Sequence, residues 1–176
     1  LNVLQHGEGR EQRALLEQHA PAALDAASLL WGRRVEPRSE DLDRARATAD
    51  DLARDAPDVA ENRRLQARAL LMTGAAEMEA GRSSNALLTL AEAAGAADSL
   101  LGLVEATFAD HVLQGDIRAM LGRAQESRAL DTGLDATTRN AALRETISAY
   151  ESSLRSYAAA ENSPAAESAA QEVRAI

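Results

Sequence analysis

The sequence predicts an all-α protein built of stacked antiparallel helix hairpins, and three observations predict it. Of the 176 residues, 40 are Ala and 24 are Leu, while aromatic residues make up only 2%. That composition favours helix by intrinsic propensity and is poor in strand formers. Apolar residues also recur at alternating steps of three and four along several stretches, which places them on one face of a helix. Finally, Gly, Pro and Asp/Asn/Ser clusters punctuate the chain so that helix pairs begin near 21, 58, 98 and 135. A quasi-period of that size suits a stack of hairpins, an α-solenoid. A closed antiparallel helix bundle is the alternative, because short loops favour it equally. The expected organisation is a single helical domain over 1–176. It has an irregular lead-in at 1–9 and hairpin units at about 21–56, 58–97, 98–134 and 135–176.

Taken in order, Arg10 to His19 reads as a short helix. Pro21 then opens another, where its missing N–H costs nothing. Leu24, Ala27 and Trp31 form its apolar side, and Val35-Glu36-Pro37 breaks it. Ser39 is a suitable cap for the next helix, whose stripe is Leu42, Ala45, Ala49, Leu52 and Ala56. Pro57 stops that helix, and Asp58 with Glu61 three residues on has the form of a capping box for its successor.

The clearest hairpin spans Ala67 to Leu100. Leu65, Ala69, Met72 and Ala76 form the inner face of its first helix. Gly81 permits the left-handed residue that ends a helix, and Ser83 or Ser84 caps the second. Ala86, Leu90, Ala93 and Ala97 are the buried stripe of that second helix, with Leu87 and Ala94 beside it.

Gly74, Gly81, Ala86 and Ala93 stand at the small-residue positions of a tetratricopeptide repeat, and Leu70 and Leu90 take two of its large apolar positions. The stretch therefore resembles that family, whose unit is a helix–turn–helix of about 34 residues. Thr73, Glu77 and Ser83 depart from the usual Leu and aromatics, and Asp98 stands where a proline often ends the unit. A second, more degenerate copy follows from Gly115, one repeat length after Gly81, with Phe108 and Met120 in place of small residues. The resemblance implies a right-handed solenoid with a concave binding surface. That surface would be lined by Arg68, Leu71, Ala75, Met78 and Glu79, and then by Gly102, Glu105, Ala109, Val112 and Leu113. The carboxylate clamp of some family members is missing, since Leu71 and Ala75 occupy two of its positions.

In the second copy Asp98 or Ser99 is expected to cap a helix bearing Leu101, Val104, Phe108 and His111. Gly115-Asp116 turns the chain, and Ile117, Met120, Leu121 and Ala124 face inward on the return. Residues 131–135 form a loop. A long helix to about Glu161 carries Leu143, Ile147, Tyr150, Leu154 and Tyr157, the strongest apolar stripe in the chain. That stripe is expected to be core closing the stack; the sharper alternative is a docking face for another subunit. Asn162-Ser163-Pro164 ends this helix and starts a terminal one.

The net charge is −9 and no segment is basic, which argues against a nucleic-acid surface and for a soluble acidic one. Every basic residue is Arg, read here as a GC-rich bacterial coding bias. With no Cys, neither disulfides nor thiol chemistry is available. No apolar run approaches the ~20 residues that span a bilayer, and no signal peptide is visible. The first residue is Leu1, which reads as a processed protein or part of a longer one, so cytoplasm and periplasm both stay open.

Chemistry finds little support. Asp50, Asp51 and Asp55 form a DDxxxD run, but Asp50 and Asp51 diverge on a helix and Arg54 lies among them. A solvated helix face explains the run better than a Mg²⁺–diphosphate site. His6, His19 and His111 match neither ExxH nor HExxH. Asp110-His111 is an adjacent pair whose side chains diverge, and His111 reads as a partly buried packing residue. The Arg pairs at 33–34 and 63–64 read as surface salt-bridge partners. No GxSxG, Walker A or GxGxxG motif occurs. The expectation is no catalytic residue, no metal, no cofactor and no membrane insertion. The functional class expected is a non-catalytic protein–protein interaction scaffold or assembly subunit, with a protein or peptide partner. The alternative is a helical sensor or regulatory arm of a larger bacterial regulator.

Overall fold

The computed structural model describes residues 39–103, 106–131 and 133–162. The expected lead-in, the helices before Ser39, the terminal helix from Pro164, and Val104 and Glu105 lie outside the described residues. Five helices and no strand make up the described part: α1 (Ser39–Asp55), α2 (Ala60–Glu79), α3 (Ser83–Leu103), α4 (Phe108–Ala129) and α5 (Ala136–Glu161).

Each helix begins and ends for a local reason. α1 ends at Asp55, two residues before Pro57, whose ring disfavours a preceding helical residue. α2 starts after Val59, with no side-chain cap. The Asp58/Glu61 capping box read from the sequence therefore does not form; the Arg64 guanidinium binds the Glu61 carboxylate instead. α2 closes in a Schellman arrangement: Gly81 sits at φ 72°, its N–H reaches Met78 O at 3.0 Å, and Arg82 N–H reaches Glu77 O at 2.8 Å. α4 opens with a complete capping box between Thr107 and Asp110. α5 is capped by Asp135, whose carboxylate accepts from Thr137 N, Thr138 N and Thr138 Oγ1 at 2.7–3.0 Å.

The core runs from helix to helix. Leu42, Ala45, Ala49 and Leu52 of α1 pack on Leu65, Ala69 and Met72 of α2. Ala67 and Leu70 of α2 meet Ala93, Ala94, Ala96 and Ala97 of α3 and Ile117 of α4. Ala86 and Leu90 of α3 meet Ala124 of α4. At Gly74 a Cβ would stand 2.6 Å from Leu90 Cγ, so only glycine admits Leu90 there. Neighbouring helices contact in chain order, most extensively α4 with α5, and α2 also touches α4.

Four further expectations are corrected. Gly115 is not a turn: α4 passes through it unbroken, so 98–134 is not a hairpin of its own, and Phe108, read as part of the same helix as Leu101, instead opens α4 and is 44% exposed. Glycine costs a helix interior only about 1 kcal/mol, and here it makes room for Tyr157, with a Cβ on Gly115 falling 2.5 Å from Tyr157 Cε1. Nor do Asp98 and Ser99 cap a helix, since both lie inside α3. Ser99 Oγ donates back to Gly95 O at 2.8 Å, and Asp98 accepts from Gln114 and Arg118 of α4. Among the described residues α3 does have the length and apolar content to cross a membrane, contrary to the sequence reading. Part of that apolar content is core, in Ala86, Leu90, Ala93, Ala97 and Leu100, while Leu88 and Leu103 stay exposed.

The fourth correction concerns α5. Leu143, Ile147 and Leu154 are 42%, 59% and 68% exposed. The buried face is instead Ala142, Thr146, Ala149, Ser153, Ser156 and Ala160. Small side chains let α5 lie close against α4, and the two tyrosines seat over glycines: Tyr157 over Gly115 and Tyr150 over Gly122. Ser153 Oγ donates to Gly115 O at 2.8 Å across this contact.

Candidate functional site

α4 carries Asp116, Ala119, Met120 and Arg123 at helical spacing on one face. α2 presents Leu71, Met72 and Ala75 toward them, and Tyr157 of α5 closes one end. These eight residues line an open cleft of about 350 Å³. Its walls are mostly aliphatic, and its rim holds one acid, one base and a phenol. A few convergent polar groups on apolar walls are what a binding cleft requires.

The rim is electrostatically organised. Tyr157 O–H donates to Asp116 Oδ1 at 2.7 Å. Burial, then the Asp116 carboxylate, push the Tyr157 phenol above its ordinary range, while the positive charge of Arg123 pulls the other way. Tyr150 shows the same pattern: burial and its bond to Glu126 Oε2 at 3.1 Å raise it, and Arg123 opposes. Arg123 thus lies within electrostatic reach of both tyrosines, its own side chain exposed to solvent.

A second polar feature positions α4 against α2. The Asp110 carboxylate, fully buried, takes Arg64 Nε on Oδ1 at 2.7 Å and Arg64 Nη2 on Oδ2 at 3.1 Å. Thr107 adds its backbone N–H at 3.1 Å and its hydroxyl at 2.8 Å, both to Oδ2. Burial alone would raise this carboxyl; the bonds from Arg64 and Thr107 outweigh it and hold it below the usual carboxylate range. The bond to Asp110 likewise raises Arg64. Arg64 is therefore not the surface ion-pair residue the sequence suggested but a half-buried fork between two helices. The Thr107-x-x-Asp110 spacing was the available signal.

Of the residues expected on the concave surface, Leu71 and Ala75 line the cleft. Arg68 is half-buried one turn upstream, Met78 packs with Ala86, Leu90 and Ala124, and Glu79 is exposed at the helix end. Ala109 and Val112 share the cleft face of α4 but lie at its start, outside the cleft. Asp116, Ala119, Met120, Arg123 and Tyr157 were not foreseen. The expected concave surface lies on the segment before Gly115, whereas the α4 residues of the cleft all follow it. Asp50 and Asp51 are engaged by Gln66 and Arg54. His111 is half-buried.

No family model, curated protein or solved structure matches this chain.

Proposed function

We propose that this chain is a non-catalytic protein–protein interaction module, an open tetratricopeptide-like helical stack that takes an extended peptide segment in the α2–α4 cleft. The cleft carries this reading: aliphatic walls from Leu71, Met72, Ala75, Ala119 and Met120, with Asp116 and Arg123 two turns apart along one helix face. The aliphatic walls suit the side chains of a partner segment, and the opposite charges at the rim would set its direction. The stacked reading over a closed bundle is supported by the order of contacts. Among the described residues helices pack in sequence, with α2–α4 the further pairing, and α1 does not meet α5. A closed bundle brings its first and last helices together.

The test is selection of peptides from a displayed random library on the immobilised chain, followed by fluorescence anisotropy on the selected peptides. Ala119→Arg fills the cleft from a half-buried position. The reading expects an unchanged helical spectrum and at least about a tenfold loss of peptide affinity. Selected peptides that bind wild type and Ala119→Arg equally would place the binding surface elsewhere.

A further inference from the structure

The outer face of α5 is a second surface, independent of the cleft. Leu143, Ile147 and Leu154 lie on one line of the helix and are 42%, 59% and 68% exposed. Ala136 and Ala158 extend the same exposed line toward the two ends. Large aliphatic side chains scattered over a surface are ordinary, but aligned ones form a patch that marks an interface. Arg144 and Glu151 flank the line on the same side, seven residues apart. That spacing is about 10 Å along a helix, too far for an ion pair within α5. Both are exposed, and among the described residues neither side chain has an ion pair or hydrogen bond.

We propose that α5 is the self-association surface of this protein, and that its occupant is the α5 of a second copy, lying antiparallel across a twofold axis. An axis crossing α5 near Ser148 sets Leu143 against the partner's Leu154 and Ile147 against the partner's Tyr150. In an antiparallel pair with that symmetry, flanks on the same side of the seam face each other. Arg144 then meets the partner's Glu151, and Glu151 meets the partner's Arg144, giving two equivalent ion pairs. Self-complementarity of this kind is what a twofold interface demands. A parallel twofold pairing would put this flank of the two copies on opposite sides of the seam, so Arg144 would not meet Glu151 and neither pair would form. The charge order therefore selects the antiparallel register, and it does so in a protein whose net charge of −9 otherwise resists association.

The test is sedimentation equilibrium of the full chain over a wide concentration range, with circular dichroism and thermal melts of every variant. Wild type is expected to dimerise reversibly. Leu154→Asp and Glu151→Arg should each weaken the dimer by about tenfold or more while melting as folded monomers. The double variant Arg144→Glu with Glu151→Arg restores opposite charges across the axis and should return the dimer to near wild-type strength. A wild type that stays monomeric at several hundred micromolar overturns the proposal. So does a Leu154→Asp variant that unfolds, since the stripe would then be covered by this chain's own residues. A dimer insensitive to Leu154→Asp, or a Glu151→Arg loss not rescued by the double variant, also overturns it.

Discussion

Gly115 of α4 lies directly under the ring of Tyr157 of α5: a Cβ at Gly115 would stand 2.5 Å from Cε1 and 2.7 Å from Cδ1. One heptad further along α4, Gly122 bears the same relation to Tyr150, with 2.8 Å to Cε1. Two glycines and two tyrosines, each pair seven residues apart, thus set how closely α4 and α5 approach. Gly115→Ala should gain up to about 1 kcal/mol of helix propensity and lose more, roughly 1–3 kcal/mol, to the displaced ring. Net destabilisation is expected in urea melts. In a Tyr157→Ala background the same change should turn neutral or stabilising, and a cost that persists there would refute the steric account.

The Arg64–Asp110 fork should make stability acid-sensitive. Because the Asp110 carboxyl is held below its usual value, the folded state favours the charged form. That contribution is complete above about pH 4, the ordinary carboxylate value, and is lost as pH falls through the depressed value. Asp110→Asn leaves Arg64 half-buried with a weakened partner and should cost roughly 2–3 kcal/mol at neutral pH. The variant's stability should also fall less steeply than wild type below pH 4. Equal acid slopes would assign the sensitivity to other carboxylates.

Leu90 and Leu154 make a matched contrast. Leu90 is fully buried against Gly74 and Ala124, and Leu90→Ala should cost about 2–5 kcal/mol. Leu154 is 68% exposed, so Leu154→Asp should change monomer stability by no more than about 0.5 kcal/mol. Chemical denaturation at low protein concentration separates the two, and a large cost at Leu154 would return its stripe to the core.

Much of this fold was legible because its signals were local. The stripes Leu42–Leu52, Leu65–Met72 and Ala86–Ala97 are buried as their spacing predicts, and Gly81 and Asp135 mark the helix ends expected of them. What misled were residues whose meaning depends on a partner helix. Gly115 reads as a turn in isolation and as a notch for Tyr157 once α5 is in place. Leu143, Ile147 and Leu154 outweigh Ala149 and Ser153 on any apolar scale, yet close helix approach selects the small face. The α2 half of the cleft was partly readable as Leu71 and Ala75. The α4 half was missed because the repeat resemblance put the binding surface on the segment before Gly115, while Ala119, Met120 and Arg123 follow it.

The central claim, a binding cleft between α2 and α4, is tested most directly by the three methionines. Met72 and Met120 line the cleft; Met78, further along α2, does not, although it packs on the same Ala86, Leu90 and Ala124 cluster as Met120. With ¹³C-methyl-methionine labelling the chain gives three assignable methyl signals. Titration with a selected peptide should shift Met72 and Met120 together, with one affinity, and by more than Met78, which does not line the cleft. A peptide that binds yet leaves Met72 and Met120 unmoved would contradict the assignment.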